Sequence, residues 1–182
     1  MEVVKNEIFY HIQRLGEGRT PWQLGQQYEI GKRKNHFFAF YDTFSASGRD
    51  SEVISKEYYN FAKEVIFEEI RLKNFQEYPS RYKCIWMIPN TINLQKSVQY
   101  WLRQLITMEN GAAGFIIWGL RCSGIVHYAN DLFFLNDNRG SLNDLRVLAT
   151  KYWQGLDASP EFVNTEVLFE GNLVVDHVYN FC

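Results

Sequence analysis

Strand-like and helix-like runs follow one another along this chain without regular alternation, and that order constrains the fold more than any other feature. Residues 55–72 set Tyr58, Phe61, Ala62, Val65, Ile66 and Ile70 at three-to-four spacing with charges opposite, which predicts an amphipathic helix. A second helix is expected over residues 93–107, where Leu94, Val98, Trp101, Leu102, Leu105 and Ile106 form a stripe. Ser141 and Asp144 resemble a capping box opening a third, striped by Leu142, Leu145, Leu148, Ala149 and Tyr152. Short β-forming runs lie around them, at residues 7–12, 82–88, 115–120, 124–128, 166–169 and 173–179. Ser123-Gly124 and Gly171-Asn172 read as turns that pair neighbouring runs. Residues 16–21 read as a turn-rich loop, 22–30 as an extended arm and 45–51 as a surface loop. A parallel sheet would need a helix between successive strands, so the expectation is one α+β domain over residues 1–182.

Composition narrows the classes of function. The chain has 182 residues, enough for a real core, and its 16% aromatic share argues for ring-lined packing and against disorder. Nineteen basic and 21 acidic residues leave a net charge of -2, so there is no overall pull on nucleic acid; Lys32, Arg33 and Lys34 make a short basic strip of the kind usually solvated. The three cysteines, Cys84, Cys122 and Cys182, lack the spacing of a disulfide framework, and no local signature marks one as a nucleophile. The four histidines (His11, His36, His127, His177) lack metal-ligand spacing, and His127 with Asp131 reads as a structural polar pair in a loop. Glu68 and Glu69 fall on the polar side of the first helix and are expected in solvent. No signal peptide and no membrane-length apolar run is visible, so a soluble cytoplasmic protein is the expectation.

Three segments carry the chemistry. Phe9-Tyr10-His11-Ile12, Cys84-Ile85-Trp86-Met87 and Asn164-Thr165-Glu166-Val167-Leu168-Phe169 each deliver a polar or aromatic group within an apolar run. In this order they resemble the ADP-ribosyltransferase-like superfamily, whose poly(ADP-ribose) polymerase and rifamycin-modifying branches use a His–Tyr–Glu trio. Trp86 stands where that superfamily more often has Tyr. The chain is also similar to a family of uncharacterised bacterial proteins, through Tyr78-Pro79-Ser80-Arg81 and the Tyr-Trp-x-Gly segment at Tyr152.

The resemblance implies two small, mostly antiparallel sheets forming a cleft, flanked by about three helices. It implies NAD as substrate, with His11 and Glu166 as catalytic groups, Trp86 or Tyr10 as the platform for nicotinamide, and Arg81 or Arg14 on the pyrophosphate. The acceptor of the ADP-ribose stays open: a protein, a small molecule or a nucleic acid. The physics is consistent, because cleavage of an N-glycosidic bond builds positive charge on the ribose, and a carboxylate held against that sugar tightens its grip as the charge grows. Each residue also has a plainer reading: Glu166 as an edge-strand residue, His11 as a satisfied histidine, Trp86 as core. A nucleotide- or protein-binding module on the same scaffold, without turnover, is the competing expectation. The two readings part on whether His11 and Glu166 share one open hollow.

Overall fold

A computed structural model of the chain describes residues 1–16, 20–108, 114–135 and 140–180. It is α+β. Its strands are β1 (Glu2–Arg14), β2 (Gln27–Ile30), β3 (Ile85–Pro89), β4 (Phe115–Asn130) and β5 (Thr165–Val178). Its helices are α1 (His36–Thr43), α2 (Ser51–Asn74), α3 (Leu94–Met108), α4 (Leu132–Leu135) and α5 (Leu142–Trp153). The capping box at Ser141 and Asp144 is formed and starts α5. Glu17, Gly18 and Arg19 of the turn-rich loop, and Cys182, lie outside the described residues.

The expectation of two small sheets is corrected: the strands form one antiparallel sheet in the order β2-β5-β3-β1-β4. A further pairing of β4 with β5 closes β1, β3, β5 and β4 into a ring. The two hairpins expected at Ser123-Gly124 and Gly171-Asn172 are corrected as well, since β4 and β5 each run straight through these residues. Gly124 and Gly171 are instead register partners. A Cβ on Gly124 would stand 2.2 Å from the Glu170 carbonyl oxygen, and one on Gly171 2.5 Å from that of Ser123. The glycines serve a close approach of two backbones, which sequence pattern alone cannot tell from a turn.

Strand alternation gives the ring two faces. The inner face holds Phe9, Met87, Leu120, Cys122, Val167 and Phe169, contributed by all four ring strands. On the outer face, Ile66, Phe67 and Ile70 of α2 and Leu145, Ala149 and Trp153 of α5 pack with Leu168 and Ala129. Trp153 Nε1 donates to the Phe67 carbonyl at 2.7 Å and ties these helices together. A third cluster joins Leu94 and Val98 of α3 to Tyr10 and Ile88.

Helix α2 exists where expected, but only part of its stripe is buried: Ile66 and Ile70 pack inward. Tyr58, Phe61 and Val65 of the predicted apolar stripe are exposed, while Lys63, Glu64, Glu68 and Arg71 are buried. Glu68, expected in solvent, pairs with Arg71 at 2.7 Å. Charged side chains face inward here because the segment before β3 brings partners for them.

Candidate functional site

The largest polar constellation lies on the outer face, centred on Arg81. This side chain follows α2 and precedes β3, and is 4% exposed. Its Nε and Nη2 donate to the two carboxylate oxygens of Glu64 at 2.7 and 2.9 Å, a bidentate pair. Its Nη1 donates to Glu166 Oε1 at 2.9 Å and to the Tyr152 hydroxyl, which in turn donates to the same Oε1. The guanidinium carbon stands 3.9 Å from the Phe134 ring centroid and 5.4 Å from that of Trp86. Lys63, also buried, stands 4.4 Å from the Phe134 ring centroid.

Asp131 follows β4 beside this set and is 2% exposed. Its backbone N–H donates to Asn164 O, and its Oδ2 accepts from the Tyr100 hydroxyl of α3 at 3.3 Å. Burial pushes the carboxyls of Glu166 and Asp131 upward, that of Asp131 to about 8. Of the two carboxyls Asp131 is the better seat for a proton, because Glu166 accepts from a guanidinium and a phenol whereas Asp131 Oδ2 accepts from Tyr100 at 3.3 Å. With Asp131 neutral, Lys63 and Arg81 balance Glu64 and Glu166.

That placement has a measurable consequence. A carboxyl whose folded pKa stands above its unfolded value keeps its proton while the unfolded chain loses it, so stability falls as pH rises between the two values, here from about 4 to about 8. Burial lowers His11 and His127 to about 4, which works in the opposite sense: stability rises with pH between about 4 and 6.5. The difference between wild type and Asp131→Asn isolates the first effect. Urea midpoints of Asp131→Asn are expected to gain on wild type steadily from pH 5 to pH 8, and a constant offset would place the proton elsewhere.

The structure brings three of the six sequence-predicted site residues together: Arg81, Glu166 and Trp86. It does not bring His11 to them by its side chain. Glu166 shares the outer face with Leu168, whereas His11, two residues after Phe9, shares the inner face with it and stacks on Trp22 with centroids 5.2 Å apart. His11 Nδ1 donates to the backbone carbonyl of Trp86 at 2.8 Å, which fixes the ring. Tyr10 is buried in the third cluster, edge-on to His177 and Tyr179. Arg14 ends β1 opposite Phe115.

Glu64, Lys63, Tyr100, Asp131 and Tyr152 were missed as site residues. The sequence pattern makes Tyr152 a core residue, and it gives no sign that Lys63 and Glu64 are buried alongside Ile66 and Ile70. His127 and Asp131 do not pair: His127 lies on β4, stacked between Tyr78 and Trp153. Cys84 and Cys122 are buried thiols pushed well up by desolvation, Cys122 to about 12, so neither is an activated nucleophile. Lys32 and Lys34 of the basic strip are paired with Glu29 and Asp42, each at 2.7 Å. Among the described residues no group of His, Cys, Asp and Glu is placed to hold a metal ion, and no helix is long and apolar enough to cross a membrane. An open groove of about 340 Å³ lies elsewhere, lined by Asn6, Gln27, Arg121, Ser123 and Asn172 among others.

Fold and site together define an α+β domain with a charge-balanced ionic cluster buried between the sheet and its helices. The chain belongs to the family described as protein of unknown function (DUF2441), which matches residues 45–181. Every member of the cluster falls within that match, while His11, Tyr10 and Arg14 precede it. Comparison with the curated proteins finds no match.

Proposed function

We propose that the protein is a nucleotide-binding module whose ligand docks on the outer face beside Trp86, with NAD the first nucleotide to try. The observation that supports this reading is that two rings touching the cluster's cations keep a buried polar atom without a partner: Trp86 Nε1, with the Arg81 guanidinium 5.4 Å from its ring centroid, and Tyr59 OH, with Lys63 Nζ 5.6 Å from its ring centroid. Leaving such a group unsatisfied costs about 1–3 kcal/mol each, so a native fold that keeps two against one cluster has a reason for them. A ligand with hydroxyls and ring nitrogens supplies the missing partners. Trp86, half-buried, offers a flat face for a base, a contact worth about 1 kcal/mol beyond its area. Ser97 stands one helical turn before Tyr100 on α3, and the neutral Asp131 can donate as well as accept.

Transfer of ADP-ribose is the second reading, favoured by the approach of Glu166 to Trp86 through Arg81. In that reaction the ribose C1′–nitrogen bond breaks, nicotinamide leaves with its electron pair, and the acceptor bonds to C1′ and gives up its proton to solvent. Binding without turnover is preferred because Glu166 Oε1 already receives two protein donors and His11 belongs to the other face.

Unfolding with and without NAD tests the binding. Nucleotide at about one hundred times its Kd is expected to raise stability by about 2.7 kcal/mol, and Trp86→Ala to abolish most of that gain. No gain in wild type with NAD, ADP-ribose or AMP would remove the nucleotide reading. Nicotinamide release separates the two readings: equal background from wild type and Glu166→Gln supports binding alone, and release lost only in Glu166→Gln establishes transfer.

A further inference from the structure

Helix α2 has two incompatible faces. Its inward face carries the charges that complete the Arg81 cluster, and its outward face carries Tyr58 (52% exposed), Phe61 (38%), Val65 (41%) and Leu72 (53%). With Ile54, these residues repeat at intervals of four and three, broken only at Glu68, which is turned inward. These intervals average 3.6 residues, so the side chains stay on one face of the helix and form a ridge that a second helix can pack along. Phe37 and Phe40 of α1 extend the same surface through ring contacts with Tyr41, which itself stacks against Phe61.

We infer that this surface pairs with a second copy of the chain, α2 against α2, antiparallel about a two-fold axis. The distribution of charge and volume along the helix selects this occupant. An axis passing between Phe61 and Ala62 sets Phe61 opposite the partner's Ala62 and Tyr58 opposite the partner's Val65, so that large side chains meet small ones. The same register sets Asp50, at the N-terminal end, opposite the partner's Lys73 in the last turn. Both residues are exposed, and Asp50 makes no side-chain capping bond within its own helix. Antiparallel alignment also lays the positive end of each helix dipole beside the negative end of the other. The six large side chains of α1 and α2 on this face, at roughly 200 Å² for a whole one, offer roughly 500 Å² per copy. Two copies reach about 1,000 Å², where specific interfaces begin, so the dimer is a reversible one. An isologous pair closes on itself and leaves no repeating contact for a fibre.

Sedimentation velocity of the full chain across two decades of concentration tests this. A monomer–dimer equilibrium is expected, with Kd raised at least tenfold by Phe61→Asp, a change at a partly exposed position whose folding is checked by circular dichroism. Asp50→Lys and Lys73→Asp are each expected to weaken the dimer, and the double exchange to restore it. A wild type that stays monomeric, a dimer indifferent to Phe61→Asp, a larger assembly, or a double exchange that fails to restore pairing would each overturn the inference.

Discussion

Arg81→Met is expected to lower the stability of the protein by about 3–5 kcal/mol, the range for removing one partner of a buried ion pair. The size follows from what stays behind. Glu64 and Glu166 share one guanidinium, both are buried, and its loss leaves Glu64 without its bidentate partner and Glu166 with the Tyr152 hydroxyl as donor. Dispersion contacts with Phe134 and Trp86 survive in part, because the methionine stem is apolar and flexible. The loss is therefore electrostatic in origin. Adding Glu64→Gln and Glu166→Gln to Arg81→Met removes both stranded carboxylates, leaves Lys63 to be balanced by ionisation of Asp131, and is expected to recover at least half of it. Urea midpoints of the single and triple variants at neutral pH decide the matter, and a triple variant no better than the single one would mean that packing governs this site.

Gly124→Val is expected to cost about 3 kcal/mol or more, at the upper end for overpacking. Its Cβ would meet backbone rather than a movable side chain, at 2.2 Å from the Glu170 carbonyl oxygen. Relief requires β4 and β5 to separate where two glycines let them touch, and that strains the ladder that closes the ring. Gly16→Ala serves as the control, since a Cβ there meets nothing within 4 Å, and a change within about 0.5 kcal/mol is expected. Thermal unfolding of both variants measures the contrast.

Part of this architecture was legible in the residues. The α+β class, α3 and α5 with its capping box, and β-structure at residues 7–12 and 85–88 follow from periodicity and local chemistry, which act within a few residues. The rest depends on what lies opposite. Gly124 and Gly171 carry the same local signal whether the chain turns or crosses another strand. The stripe of α2 marks Ile66 and Ile70 as buried but not Glu64, which is sheltered by its pairing with Arg81 on a later segment. For the site, Trp86 and Glu166 are legible as an aromatic and a polar group within apolar runs, whereas Arg81 enters only as a group implied for the pyrophosphate. His11 was paired with Glu166 on strand order, and strand order says nothing about which face an alternating residue takes.

Closure of the ring has a consequence for how the protein is made. β5 bonds to β4 along one edge and to β3 and β2 along the other, so it contacts most of the sheet, and it is the last of the five strands to leave the ribosome. Until it emerges, β4 presents an unpaired edge and the inner apolar side chains lack one wall. A nascent chain in that condition is exposed to wrong pairings with its neighbours, and it is held from its native state until Thr165–Val178 is delivered.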